Sequence, residues 1–252
     1  MDPGTEAWQE LERRARADAD RRTFEADDTT ALPPAAARYL DAAIAPGTAL
    51  APAARLEMRG RIKIGRWLPF RARQLLAPSH GTVWIATVGG IIRGNDRYVA
   101  GAGGMVWKLL GLVPLVRAEG SDVSRSAAER AAGESIWVPT ALVAHRGVTW
   151  SASTDDQVDV RLDVDGHPVT LHQTLDADGR LRHSHFLRWG DPDRTGAWAE
   201  HPFGVEITGH RTFDGLTVPN TGRAGWHFGT DRWDAGVFFE FEITGYELLT
   251  SP

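Results

Sequence analysis

Arg130, Glu134 and Trp137 fall at i, i+4 and i+7 of a stretch patterned as a helix, which puts their side chains on one stripe. Turned toward the inside of a sheet, that stripe could hold Glu134 as a carboxylate acid or base, its proton affinity set by burial and by Arg130. The same residues equally suit a structural ion pair that anchors the helix, with Trp137 as packing. Asp96 and Tyr98 share this ambiguity, although Asp96 within Gly94-Asn95-Asp96 is most simply a turn residue. His183 and His185 stand two apart in a strand pattern, so both imidazoles point to one face with Leu181 and Leu187. They are candidate proton-handling groups beside Glu134 and Arg130. A metal site would need His172, His201 or Glu134 as a third ligand, and local spacing fixes none of them. Solvated or hydrogen-bonded imidazoles, and no metal, are the expectation.

Other chemistries lack their residues. There is no cysteine, which removes disulfides, thiolate ligands and thiol nucleophiles together. No Gly-x-Ser-x-Gly elbow occurs. Gly101-Ala102-Gly103-Gly104 has no following Lys-Ser/Thr to cradle phosphate, and a dinucleotide fingerprint would need a parallel βαβ unit. No cofactor is expected. The ten tryptophans are the most distinctive feature of the composition. Large aromatics line sites for apolar or ring-bearing ligands, and they also fill the cores of wide sheets. Trp84, Trp137, Trp189 and Trp226, with Tyr98 and Met105, are the candidate ligand-binding set.

The elements that must position these groups are mostly strands. Residues 6–24 form a charged helical arm that could dock through Trp8, and residues 1–30 are read apart from a β domain over 31–252. Pro33-Pro34 opens a helix with Ala36, Tyr39, Leu40 and Ile44 on one face. From Ala54 the apolar period becomes two, with Leu56, Met58, Ile62 and Ile64 alternating with charged or small residues. Arg66–Pro69 reads as a turn into a strand over 70–76, followed by a strand over 82–88. Next comes a short hairpin, 91–93 and 97–100, folded around Gly94-Asn95-Asp96. The glycines at 101, 103 and 104 point to a sharp bend or a close backbone approach.

Ser124–Ile136 reads as a helix, and the rest as a meander with strands over 147–151, 158–164, 169–175, 181–189, 205–213, 217–219, 222–228 and 237–248. Asp165-Gly166, Asp178-Gly179 and Asp214-Gly215 fall between them as hairpin signals. This pattern predicts a mainly β (α+β) fold: one large curved antiparallel sheet or half-barrel, with a few helices packed on its concave side.

With 42% apolar and 24% charged residues the chain is patterned to fold, and a net charge of -5 argues against a nucleic-acid partner. No apolar run suggests a signal peptide or a membrane span, so the expectation is a cytoplasmic protein.

Several motifs in order resemble a bacterial family known as a domain of unknown function. They are Leu32-Pro33-x4-Arg38-Tyr39-Leu40, Trp67-x-Pro69-x2-Ala72-x-Gln74, Asp96-x-Tyr98-x2-Gly101-x-Gly103-x-Met105-x2-Lys108-Leu109-x-Gly111 and Arg130-x3-Glu134-x2-Trp137-x-Pro139-Thr140-Ala141-Leu142. Gly215-x2-Val218-Pro219, Trp226 and Tyr246 complete the set. The resemblance covers 31–252 and carries no assigned reaction. The pattern is also similar to the lipoprotein-carrier (LolA-like) architecture, which implies a half-barrel whose concave side can hold acyl chains or shape an enzyme's substrate.

Two functions follow as expectations. One is an intracellular binding protein holding a hydrophobic or aromatic small molecule in the concavity of the sheet. The other is a cofactor-independent isomerase, cyclase or hydrolytic enzyme of specialised metabolism that uses the same cavity. A purely structural or interaction domain would instead show a large exposed apolar patch and no cavity.

Overall fold

The computed structural model describes residues 3–250. Alternation of buried and exposed residues, plain along Ala54–Met58, is what a strand covered on one face requires. Among the described residues thirteen such strands form one antiparallel sheet. The first meander comprises β1 (Ala54–Ile64), β2 (Arg66–Ala77), β3 (Gly81–Val88), β4 (Ile92–Val99), β5 (Ala102–Leu109) and β6 (Val113–Glu119). The second comprises β7 (Thr149–Ala152), β8 (Gln157–Val164), β9 (His167–Leu175), β10 (Leu181–Gly190), β11 (Ala199–Phe213), β12 (Leu216–Trp226) and β13 (Val237–Leu248). Pairing of β1 with β13 joins the two halves, so β6 and β7 become the two outer edges. The expected mainly β architecture, a curved open sheet with few helices, is the one observed.

That topology forces the central feature of the molecule. The chain leaves one edge at β6 and must re-enter at the other edge as β7. It crosses the concave face as helix α3 (Ser121–Gly133) and a run of short 3-10 turns that begins with Glu134–Trp137. Helix α3 packs against β3, β4 and β5 of one half and β8, β9 and β10 of the other. Hydrogen bonds pin the crossing segment: Trp137 Nε1 donates to Pro219 O (3.1 Å) and Thr140 Oγ1 to Ala51 O (2.7 Å), both buried, and the partly buried Tyr246 Oη donates to Trp137 O (2.7 Å). Gly103 permits the approach, because a Cβ there would sit 2.5 Å from Ser124 Cα.

Helix α2 (Pro34–Ala43) buries Ala36, Tyr39 and Leu40 and packs on β7, β8 and β12. The N-terminal arm is helix α1 (Pro3–Asp18), and it is docked on the opposite face of the sheet from α3. Leu11 and Ala15 are fully buried against Leu75, Val83 and Val99, while Arg73 lies 5.1 Å over the Trp8 ring. No helix among the described residues is long and apolar enough to cross a membrane.

Four local expectations are corrected. Gly94-Asn95-Asp96 is not a turn but the middle of β4, paired along its length with β3 and β5. Arg66–Pro69 belongs to β2, and Gly65 alone, with φ +70°, makes the turn. The strands at 217–219 and 222–228 are one strand, β12. Helix α3 starts earlier and stops at Gly133, three residues short of the reading. The turn signals at Asp165-Gly166 and Asp214-Gly215 hold, since both residues of each pair take positive φ as a type I′ turn demands.

The hairpin ends β1–β2, β3–β4 and β5–β6 lie side by side and leave Ile64, Ile91, Leu110 and Leu112 exposed. The molecule therefore has both an exposed apolar region and an internal hollow. Docking of α1 makes a direct prediction. Leu11→Ala should lower the unfolding free energy by about 2–5 kcal/mol. Leu112→Ala, at a residue 80% exposed, should change it by no more than about 0.5 kcal/mol. Urea unfolding followed by circular dichroism reads the difference, and equal effects would mean that α1 adds no core.

Candidate functional site

Strand register builds the site. Gln74, Trp84, Asp96 and Met105 are partners across β2, β3, β4 and β5, so all four project from the same face, toward the concave side. The crossing segment lies above them and supplies Arg130, Glu134, Ile136 and Trp137. From the second half come Ser184, Phe186 and Arg188 of β10, Phe203 and Val205 of β11, Ala224 and Trp226 of β12, and Phe239 and Phe241 of β13. Between these surfaces is a cavity of about 250 Å³ that the protein's own side chains leave unfilled. An apolar cavity of roughly 150 Å³ already accepts benzene, so this one has room for a larger ring system or a branched chain.

The lining is largely aromatic. Phe239 stacks on Phe70 (4.9 Å) and Phe241, while Trp137 meets Phe241 edge-on at 5.1 Å. Phe203 meets Trp226 edge-on at 5.1 Å and lies 5.7 Å from Phe186. The β12–β13 register shifts between Ala224 and Gly225, and the extra residue, Phe238, also reaches the cavity and lies 6.2 Å from Phe203.

Polar groups converge at one side. Arg130 donates through Nε to Glu134 Oε1 (2.7 Å) and through Nη1 to Asp96 Oδ2 (3.1 Å). Asp96 Oδ1 also accepts from Trp107 Nε1 (2.9 Å). Glu134 Oε2 accepts from Gln74 Nε2 (2.5 Å) and Thr82 Oγ1 (3.3 Å). Burial disfavours the charge on Arg130, but Glu134 and Asp96 more than offset this and hold its pKa above the ordinary value.

Arg188 differs. Its one hydrogen bond among the described residues runs from Nε to Ser126 O (3.3 Å), and no carboxylate lies within salt-bridge distance. It lies over the rings of Phe203 (4.8 Å) and Trp226 (5.2 Å). Burial, then repulsion from Arg130, pulls its pKa down to about 10.

The residues singled out in the sequence divide between this site and elsewhere. Arg130, Glu134, Trp84, Met105, Trp137 and Trp226 line the cavity together. Tyr98 does not: it is fully buried beside Thr82 in register, and burial pushes its phenol well above the ordinary range. Trp189 points out of the cavity, with its Nε1 donating to Asp122 (2.8 Å) and Arg125 lying 4.2 Å over its ring.

His183 and His185 are on the outer face of β10. His185 stacks on Phe228 (5.1 Å, 18°) and sits 5.1 Å from His172, which contacts Asp159 (2.8 Å). Burial lowers the pKa of both His183 and His185. The expected companion Leu181 is instead in the core, because the β9–β10 register shifts between Leu181 and His183. Among the described residues no group of three or more His, Asp or Glu side chains could hold a metal ion. Sequence reasoning missed Ser184, Phe186 and Arg188. Their alternation with His183, His185 and Leu187 was the available signal, and it pointed to the opposite face.

The geometry defines a class: an open curved antiparallel sheet with an aromatic hollow on its concave face. The chain belongs to a family of unknown function (DUF6544), whose profile matches residues 22–240 and so includes the motif set up to Trp226. No curated protein matches it. Two solved structures are similar. One is a putative outer membrane lipoprotein-sorting protein domain from Vibrio parahaemolyticus, 11% identical over 77% of this chain and 84% of that one, with a TM-score of 0.36. The other is a LolA superfamily protein from Nitrosomonas europaea, 10% identical over 79% and 86%, with a TM-score of 0.40.

The charge cluster predicts unequal penalties. Arg130→Met strands two largely buried carboxylates and should cost about 3–5 kcal/mol of stability. Glu134→Gln keeps the side chain's shape and an acceptor for Gln74, and leaves Arg130 paired to Asp96, so it should cost markedly less. Urea unfolding of the two variants checks this ranking, and a larger loss for Glu134→Gln would contradict it.

Proposed function

We propose that this protein binds a hydrophobic small molecule in the hollow between the curved sheet and its crossing segment. One observation carries the reading: about 250 Å³ remains open inside a wall of packed aromatic rings, where a self-sufficient core would be filled. The rings offer broad apolar faces, and the polar groups are confined to one side, which suits a ligand with an apolar body.

Binding is favoured over catalysis by the state of the carboxylates. Glu134 accepts hydrogen bonds on both oxygens, as does Asp96. Both carboxylates already hold Arg130 and side chains of the sheet, a structural engagement that a general base would have to combine with contact to substrate.

Titration with the neutral dye N-phenyl-1-naphthylamine tests the reading. Saturable fluorescence enhancement is expected with the wild-type protein and its loss with Ala224→Phe, which fills the hollow from β12. Phe239→Leu, which enlarges the hollow, should retain binding and guards against a folding defect in the first variant. Undiminished binding by a folded Ala224→Phe protein would place the dye elsewhere and refute the proposal.

A further inference from the structure

We propose that the molecule held in the hollow is a monocarboxylate: an apolar body whose carboxylate is received by Arg188. This rests on the reading of the hollow as a ligand site and adds the chemistry of the ligand's end. Arg188 is a cavity-wall residue whose terminal Nη1 and Nη2 groups have no acceptor among the described residues. Those two nitrogens are the fork that grips a carboxylate through two parallel hydrogen bonds. The neighbouring guanidinium does not compete for the anion, because Arg130 is already tied to Glu134 and Asp96. Those two carboxylates also stand against a doubly charged ligand, since a dianion would add repulsion that one unpaired guanidinium does not offset. The depressed pKa of Arg188, set first by desolvation and then by repulsion from Arg130, fits a guanidinium with no carboxylate in direct contact.

A second feature fixes the orientation. Ser184 lies on the same wall, is 3% exposed, and its Oγ has no hydrogen-bond partner. Gln173, its direct partner across β9 and β10, is 2% exposed with both carboxamide atoms also unpartnered. Ser184 and Arg188 flank Phe186 on one strand face, about 13 Å apart along β10. A carboxylate at Arg188 and an oxygen function at Ser184 would satisfy both ends, with the apolar body lying over Phe186.

Displacement of N-phenyl-1-naphthylamine by 6-phenylhexanoate, 6-phenylhexanamide and 6-phenylhexylamine tests the charge. The acid should compete at least about tenfold better than the amide, with the amine weakest. Arg188→Met should erase the difference between acid and amide while dye binding persists. A para-hydroxyl on the phenylhexanoate ring should strengthen binding several-fold in the wild type and give nothing in Ser184→Ala. Equal competition by acid and amide, or preference for the amine, would overturn the carboxylate while leaving the hollow a binding site. Failure of the dye itself to bind would remove the hollow and this inference together.

A different surface carries a second inference independently. The ends of the first three hairpins are laced together, Gly89 N donating to Pro69 O and Leu110 N to Ile91 O, both at 2.7 Å. They present Ile64, Ile91, Leu110, Leu112 and Val113 to solvent. Lys63, Arg66, Arg93 and Lys108 lie among them, none in a salt bridge among the described residues, and 61–68, 87–93 and 106–116 contain no Asp or Glu. We infer that this end docks on an anionic lipid surface, apolar tips entering the interface and cations meeting head groups. A second copy fits poorly, because a two-fold contact would set these cations against their own counterparts.

Sedimentation with phosphatidylcholine vesicles, with and without phosphatidylglycerol, tests it. Binding should require the anionic lipid and fall about tenfold or more in Leu110→Ser/Leu112→Ser and in Lys63→Glu/Arg66→Glu. No sedimentation with the mixed vesicles would overturn the inference. So would a solution dimer that Leu112→Ser dissolves, since the end would then be a self-contact.

Discussion

A guanidinium taken out of water needs carboxylates, and the position of Arg130 follows from that need. One partner, Glu134, comes from the following turn of its own segment, and the other, Asp96, comes from the middle of β4. The pairing is therefore a brace between the crossing segment and the sheet. Removing either end leaves a buried charge uncompensated, so the brace sets how closely the segment can approach the strands. Gln74 and Thr82 extend it into β2 and β3 through Glu134, and Trp107 extends it into β5 through Asp96. The roof of the hollow is held at a height that the rings beneath it do not choose.

Rings explain why the space stays open. Flexible aliphatic chains would rotate into a gap of this size, whereas indoles and phenyls are stiff plates that pack edge-to-face and leave space between plates. Here each plate is also supported from behind, as Phe239 is by Phe70 and Trp137 by its hydrogen bond to Pro219. Gly133 contributes by absence: a Cβ there would fall 2.5 Å from the Phe186 ring, so a larger residue would drive that ring from its place on the wall. Closing the hollow would require bending a sheet whose thirteen strands are already paired in register.

What was legible in the sequence was local or periodic. The Arg130–Glu134–Trp137 stripe follows helical spacing, and it survives although the helix gives way to a 3-10 turn at Glu134. The Asp-Gly turns at 165 and 214 depend on one residue pair each. The partners of Glu134 and Arg130 were not legible, because Gln74, Thr82 and Asp96 arrive through strand register over 34 to 60 residues of chain. Asp96 was misplaced for a physical reason. Gly, Asn and Asp favour turns, but ladders to β3 and β5 on both sides outweigh that preference and extend the segment. On β10 the error was one of face. A single register shift near Leu181 moved that leucine to the core, so the apolar residues chosen as guides no longer shared a face.

The face that was overlooked is the one on which the proposed binding site differs from a structural core. A core can contain rings, and it can contain a satisfied ion cluster like that of Arg130, Glu134 and Asp96. A partly buried guanidinium beside open space, with its terminal nitrogens unpaired within the protein, and a buried unpartnered hydroxyl on the same strand face are the features on which the proposed binding rests. The Ser184 hydroxyl loses hydrogen bonding to water on folding and regains none from the protein, whereas Arg188 keeps one bond, from Nε to Ser126 O. The cation–π contacts of Arg188 to Phe203 and Trp226 leave its terminal N–H fork unused, because a ring face attracts the charge without accepting those donors. Among the described residues of the wall, the groups left incomplete are the ones a ligand could complete.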